Sequence, residues 1–213
     1  MKSRISVLAI ALLAVFLCGS SAFADTLTFS GAGGPETTDG KYYVYPYNFS
    51  INGSTSTTSL ICDDFSDDIT KGESWQVTVS SCSSAILANG IMGPLGDPGV
   101  KLKEYEEAAW LFLQLTGPTD PNSAAINEAI WSLFDVNALN TYAADTTTWL
   151  GNAWTYANEA DLNSIVVYTP TQNEPGRPQE MIGSAPVPEP ASLGLFATGL
   201  FGLAGVLRRK LSK

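Results

Sequence analysis

The chain has 213 residues, 45% of them hydrophobic, a net charge of −10 and no histidine. Lacking histidine, it has no Ser-His-Asp or Cys-His catalysis, no His-ligated zinc or copper, and no ordinary general base near neutral pH. The acidic balance repels phosphate backbones and so argues against nucleic acid as a partner.

Lys2 and Arg4 precede an uninterrupted apolar stretch, Val7 to Leu17, and Ala22-Phe23-Ala24 supplies a small-x-small cleavage site. This is the pattern of a secretory signal peptide over residues 1–24, which predicts passage through the Sec translocon and a mature chain beginning at Asp25. Cys62 and Cys82 are then the remaining cysteines of an exported body. In an oxidising compartment a disulfide between them is the default expectation, worth about 3 kcal/mol through the loop it closes.

Residues 25–170 read as one secreted α+β domain. Its first half alternates and is rich in β-branched and aromatic residues, which predicts antiparallel strands over Thr26–Ser30, Tyr42–Ile51, Thr58–Phe65 and Ser74–Ser80. Glycines and prolines mark Asn89–Gly99 as a loop. The period then changes from two to 3.6. Leu102, Tyr105, Ala109 and Phe112 mark one amphipathic helix. Ile126, Ala129, Ile130, Leu133 and Phe134 mark a second, with Asn122 or Ser123 as N-cap, and Leu150, Ala153, Trp154 and Ala157 a third. A returning strand, Ser164–Thr169, ends the domain, and residues 171–186 form a Pro/Gly-rich linker.

The C-terminal segment 187–213 has three parts in order. Val187-Pro188-Glu189-Pro190 is followed by an apolar run, 191–207, and then by the basic residues Arg208, Arg209 and Lys210. Seventeen helical residues span about 26 Å, nearly the hydrocarbon core of a bilayer, and the cations behind them fit a cytoplasmic stop. The expectation is a transmembrane helix that holds the chain transiently in the inner membrane. With both terminal segments set aside, five Lys and Arg face 20 acidic residues, leaving a body of net charge −15.

This tail resembles the PEP-CTERM sorting signal of Gram-negative bacteria. The resemblance implies that an exosortase, an integral membrane protease, reads Pro188, Glu189 and Pro190 and cuts near them. The released protein then goes to the outer envelope or extracellular matrix, where exopolysaccharide is a candidate partner.

Within the body, Asp63, Asp64, Asp67 and Asp68 form the densest acidic cluster. Such hard oxygens are weak calcium candidates, although their spacing does not match an EF-hand, and no cofactor is otherwise expected. Tyr43, Tyr45 and Tyr47 would share one face of a strand. Exposed, they would stack on sugar rings; buried, as favoured here, they are core, like Trp75, Trp110, Trp131, Trp149 and Trp154. No glycine-rich phosphate loop appears, and a secreted carboxylate-based hydrolase survives only as an alternative without a distinctive acid pair. The chain is therefore read as non-enzymatic, with no catalytic residue assigned.

Cys62-Asp63-Asp64-Phe65 together with Ala125-Ile126-Asn127-Glu128-Ala129-Ile130-Trp131 resembles the thioester domains of bacterial surface adhesins. There a cysteine and a glutamine condense into an internal thioester that captures amines. The resemblance makes a covalent adhesin the second alternative. The position matching that glutamine is Asn127, one methylene shorter, so the expectation is a similar scaffold without the bond.

Overall fold

The computed structural model describes residues 25–82, 98–159, 162–172 and 178–185. The signal peptide, the sorting segment and the membrane helix expected over 191–207 lie outside them. Among the described residues no helix is long and apolar enough to cross a membrane. The chain divides into two compact units, Met1–Gly183 and Ser184–Lys213; of the second, Ser184 and Ala185 are described.

Alternating apolar residues build the strands. β1 (Asp25–Ala32) buries Leu27 and Phe29 between partly exposed threonines and serines. It pairs antiparallel with β2 (Tyr47–Ile51) on one side and β4 (Ser74–Ser81) on the other. β3 (Thr57–Cys62) joins β2, and β5 (Ile165–Pro170) joins β4. A sixth strand, β6 (Met181–Ser184), pairs with β3 through Ile61–Ile182 and Cys62–Met181. The ring β1-β2-β3-β6-β5-β4 is a closed barrel, which leaves no edge strand.

The antiparallel strands followed by helices and a returning strand match the α+β reading; the barrel and β6 go beyond it. β6 lies inside the stretch that composition marks as a linker, so residues 181–184 are instead a strand whose first three residues are buried. Gly183 explains how so short a strand fits. It alternates with Ile182 and turns toward Leu60, whose Cδ2 occupies the space a Cβ would need. Two expected strand bounds also shift. β2 starts at Tyr47 because Pro46 has no N–H to give a ladder, and β3 stops at Cys62, before the Asp63-Asp64 corner.

Three helices, α1 (Pro98–Leu113), α2 (Ser123–Phe134) and α3 (Val136–Tyr156), follow. Tyr105, Leu111 and Phe112 of α1 and Ile126, Ile130 and Phe134 of α2 cluster with Ile61, Ile165, Val167 and Ile182 of the barrel. Covered by helices on one face and the barrel interior on the other, β5 is a continuous apolar run, Ile165 to Tyr168, rather than an alternating one.

Asn122 stands at the N-cap of α2 without a side-chain cap bond; Asp120 instead accepts from Asn122 N at 2.7 Å. α3 begins at Val136, well ahead of the Leu150–Ala157 pattern, because Asp135 caps it by accepting from Asn137 N at 2.6 Å. Trp154 is a correction to the core assignment. It is 65% exposed, with the Lys103 ammonium 2.8 Å from its ring centroid.

Candidate functional site

A cavity of about 520 Å³ opens between β1, the 41–47 segment, the turn after β3 and α2. Phe29, Tyr42, Tyr43, Tyr47, Phe65 and Trp131 supply its apolar wall, and Lys41, Lys71, Asp64, Asp67, Asp68 and Gln179 its polar groups. Tyr42 stands edge-on to Phe65 and Trp131, at centroid separations of 5.4 and 6.3 Å. Phe65 and Trp131 are themselves 5.3 Å apart. Such edge-to-face packing fixes ring planes and leaves one face of a rim ring to solvent.

The segment carrying these tyrosines is held from below by α2. Tyr45 N donates to Asn127 Oδ1 at 2.9 Å, and Thr38 gives its N–H and hydroxyl to Glu128 Oε1 at 2.7 and 3.0 Å. Burial raises the Glu128 carboxyl pKa, while the Thr38 bonds oppose the rise. Tyr45 and Tyr47 are buried, whereas Tyr42 and Tyr43 are 41% and 57% exposed at the cavity. The expected single tyrosine face is thus broken at Pro46, and the two exposed rings are Tyr42 and Tyr43.

Gln179 reaches the same cavity from the chain entering β6. Its amide nitrogen donates to the backbone carbonyls of Asp64, at 3.2 Å, and Asp67. Lys41, also at the cavity, pairs with Asp39 at 2.8 Å, and that hydrogen bond, with Thr37, lowers the Asp39 pKa to about 2. Lys71 has no ion pair among the described residues. Gln179 and Lys71 carry no motif, and nothing in their neighbours along the chain signals a site. They belong to it only because separate turns converge.

The remaining candidates fall elsewhere. Cys62 and Cys82 are both buried free thiols, which corrects the disulfide expectation. Cys62 ends β3 and Cys82 follows β4, and these two strands stand on opposite sides of the ring. Burial, then the charges of Asp63 and Asp64, pushes the Cys62 thiol well above its ordinary pKa. Its Sγ is bonded to the Asp64 backbone oxygen at 3.0 Å. Asn127 Nδ2 donates to the Cys62 carbonyl at 3.0 Å, so the amide is directed at the backbone oxygen, and both its polar atoms are satisfied.

The four aspartates do not converge. Asp63 turns inward toward Glu180, and burial, reinforced by the Glu180 charge, raises its pKa well above the carboxylate range. Asp64 accepts from Ser66 N at 3.0 Å and faces the cavity with Asp67 and Asp68. Successive residues of an extended chain point to opposite sides, which divides Asp63 from Asp64. Among the described residues no three metal-ligating side chains meet, which corrects the calcium candidate. The signal-cleavage residues Ala22 and Ala24, the motif Val187-Pro188-Glu189-Pro190 and the stop Arg208-Arg209-Lys210 lie outside the described residues.

The family comparison bears on those terminal residues. Positions 186–210 match the PEP-CTERM protein-sorting motif. The chain carries a PEP-CTERM sorting signal. A PEP-CTERM signal implies exosortase processing, export through a membrane-anchored intermediate, and an envelope or extracellular destination. No curated protein matches the sequence. Among solved structures, the N-terminal domain of the Streptococcus pyogenes pilus tip adhesin Cpa is similar at a TM-score of 0.43 and 10% identity, over 80% of this chain and 97% of that one.

Proposed function

We propose that the chain is a non-enzymatic envelope or matrix protein whose aromatic cavity holds a segment of extracellular polysaccharide. The observation that carries this is the exposure of Tyr42 and Tyr43 on a cavity of about 520 Å³ whose inner wall is Phe65 and Trp131. Aromatic faces beside a few polar groups suit pyranose rings, which offer apolar C–H faces and hydroxyl edges. Export by the Sec translocon, exosortase cleavage near Glu189 and release from the inner membrane deliver such a binder to where polysaccharide is found. The acidic body gives no support to a nucleic-acid partner.

Two features support the absence of turnover. Asp63 and Glu180, the facing carboxyl pair, are fully buried and do not line the cavity, and the carboxyl groups that do, Asp64, Asp67 and Asp68, all come from the one turn after β3. A glycosidase needs its two carboxyl groups on either side of the scissile bond. The test is calorimetric titration of the full-length chain, in a nonionic detergent, with the exopolysaccharide of its source cells. Saturable binding without release of reducing ends is expected, and a Tyr42→Ala, Tyr43→Ala double variant should lose about tenfold or more in affinity, two stacking contacts' worth. Reducing-end release, or equal binding by the double variant, would contradict the proposal.

A further inference from the structure

We propose that the cavity selects amino-sugar units carrying protonated amines, an inference that rests on the saccharide reading above and narrows it. The deciding group is Gln179, which is 7% exposed and lines the cavity. Its amide nitrogen is committed to the Asp64 and Asp67 carbonyls, which are acceptors only, so the orientation of the amide is fixed by chemistry. That leaves Oε1 buried without a hydrogen-bond partner among the described residues. An orphaned buried acceptor is unfavourable until a donor reaches it. The site therefore asks its ligand for an N–H or O–H at that point.

Charge then selects among donors. Three carboxylates, Asp64, Asp67 and Asp68, border the cavity against two ammonium groups, and one of these, on Lys41, is already paired with Asp39. Asp68 is exposed in the turn after β3. Around the site is a body of net charge −15, whose field repels uronate or sulfated polymers and attracts cationic ones. The ring faces of Tyr42 and Tyr43 serve an ammonium group as well as a sugar face. A protonated 2-amino-sugar meets all of these demands: its ammonium donates to Gln179 Oε1 and Asp68 while its ring covers the tyrosines.

The experiment titrates the full-length chain in nonionic detergent, at mildly acidic pH, with three probes: chitosan hexamer, its fully N-acetylated counterpart and a galacturonate hexamer. Chitosan hexamer should bind about tenfold tighter than the acetylated hexamer at low salt, the effect of one hydrogen bond to a charged group. That advantage should vanish near 1 M salt, where charges are screened beyond about 3 Å. Asp68→Asn, with an unchanged melting temperature, should cut the preference for the chitosan hexamer over the acetylated one severalfold. Equal binding of the acetylated and deacetylated hexamers, a preference for galacturonate, or a preference untouched by Asp68→Asn overturns the amino-sugar assignment and leaves the saccharide reading standing. No binding of any probe or of the native exopolysaccharide overturns both.

Discussion

Asn127 joins the pieces of the candidate site. Its amide holds the tyrosine segment through Tyr45 N and the end of β3 through the Cys62 carbonyl, both at positions shielded from water. Asn127→Ala would orphan one donor and one acceptor, and should lower unfolding free energy by about 2–4 kcal/mol in urea titrations. Asp63 makes a second prediction at this scale. Its folded pKa stands above the ordinary Asp value, so the folded state holds the proton more tightly. Its contribution is therefore fully present below the unfolded pKa and is lost as pH rises through the folded one. Asp63→Asn, which stays neutral beside Glu180, should flatten that loss and raise the melting temperature at mildly alkaline pH by about 2–4 °C, near 1 kcal/mol. A variant whose stability falls with pH as steeply as the parent's would contradict the assignment.

At the scale of elements, local pattern and tertiary closure divide the work. β1 and β4 follow from alternation, with Leu27, Phe29, Trp75 and Val77 inward, and α2 from the spacing of Ile126, Ile130 and Phe134. β6 was not legible: Met181-Ile182-Gly183-Ser184 is too short to show a period, and its burial depends on β3 and β5 already flanking it. The first half of α3 was hidden for another reason. Asn137, Asn140, Thr141 and Thr146–Thr148 are poor helix formers that blur the apolar stripe, and the Asp135 cap offsets them. Asp135→Ala should accordingly cost about 1 kcal/mol by thermal melting. Gly183→Ala should cost about 1–3 kcal/mol through overlap with Leu60. A neutral Gly183→Ala would mean that β6 does not close the barrel as described.

Taken whole, the molecule pairs a legible delivery system with a site that only folding assembles. The sorting motif could be read because recognition by a protease requires its residues to be contiguous; 186–210 is one unbroken match. The cavity draws on β1, the 41–47 segment, the β3 turn, α2 and the approach to β6, so no window of sequence contains it. The two free thiols follow the same logic, since their placement on opposite sides of the ring is a property of the barrel and not of their spacing. In the proposed reading, delivery and binding meet in one object: an acidic barrel-and-helix domain that travels tethered and binds once released. The intact mass of the protein recovered from the envelope or medium of its source cells tests this most directly. The expected chain begins at Asp25, ends beside the Pro188-Glu189-Pro190 motif, shows no loss of ammonia and takes up two alkyl groups when unfolded without reductant. A mass that still includes residues 191–213 would contradict it.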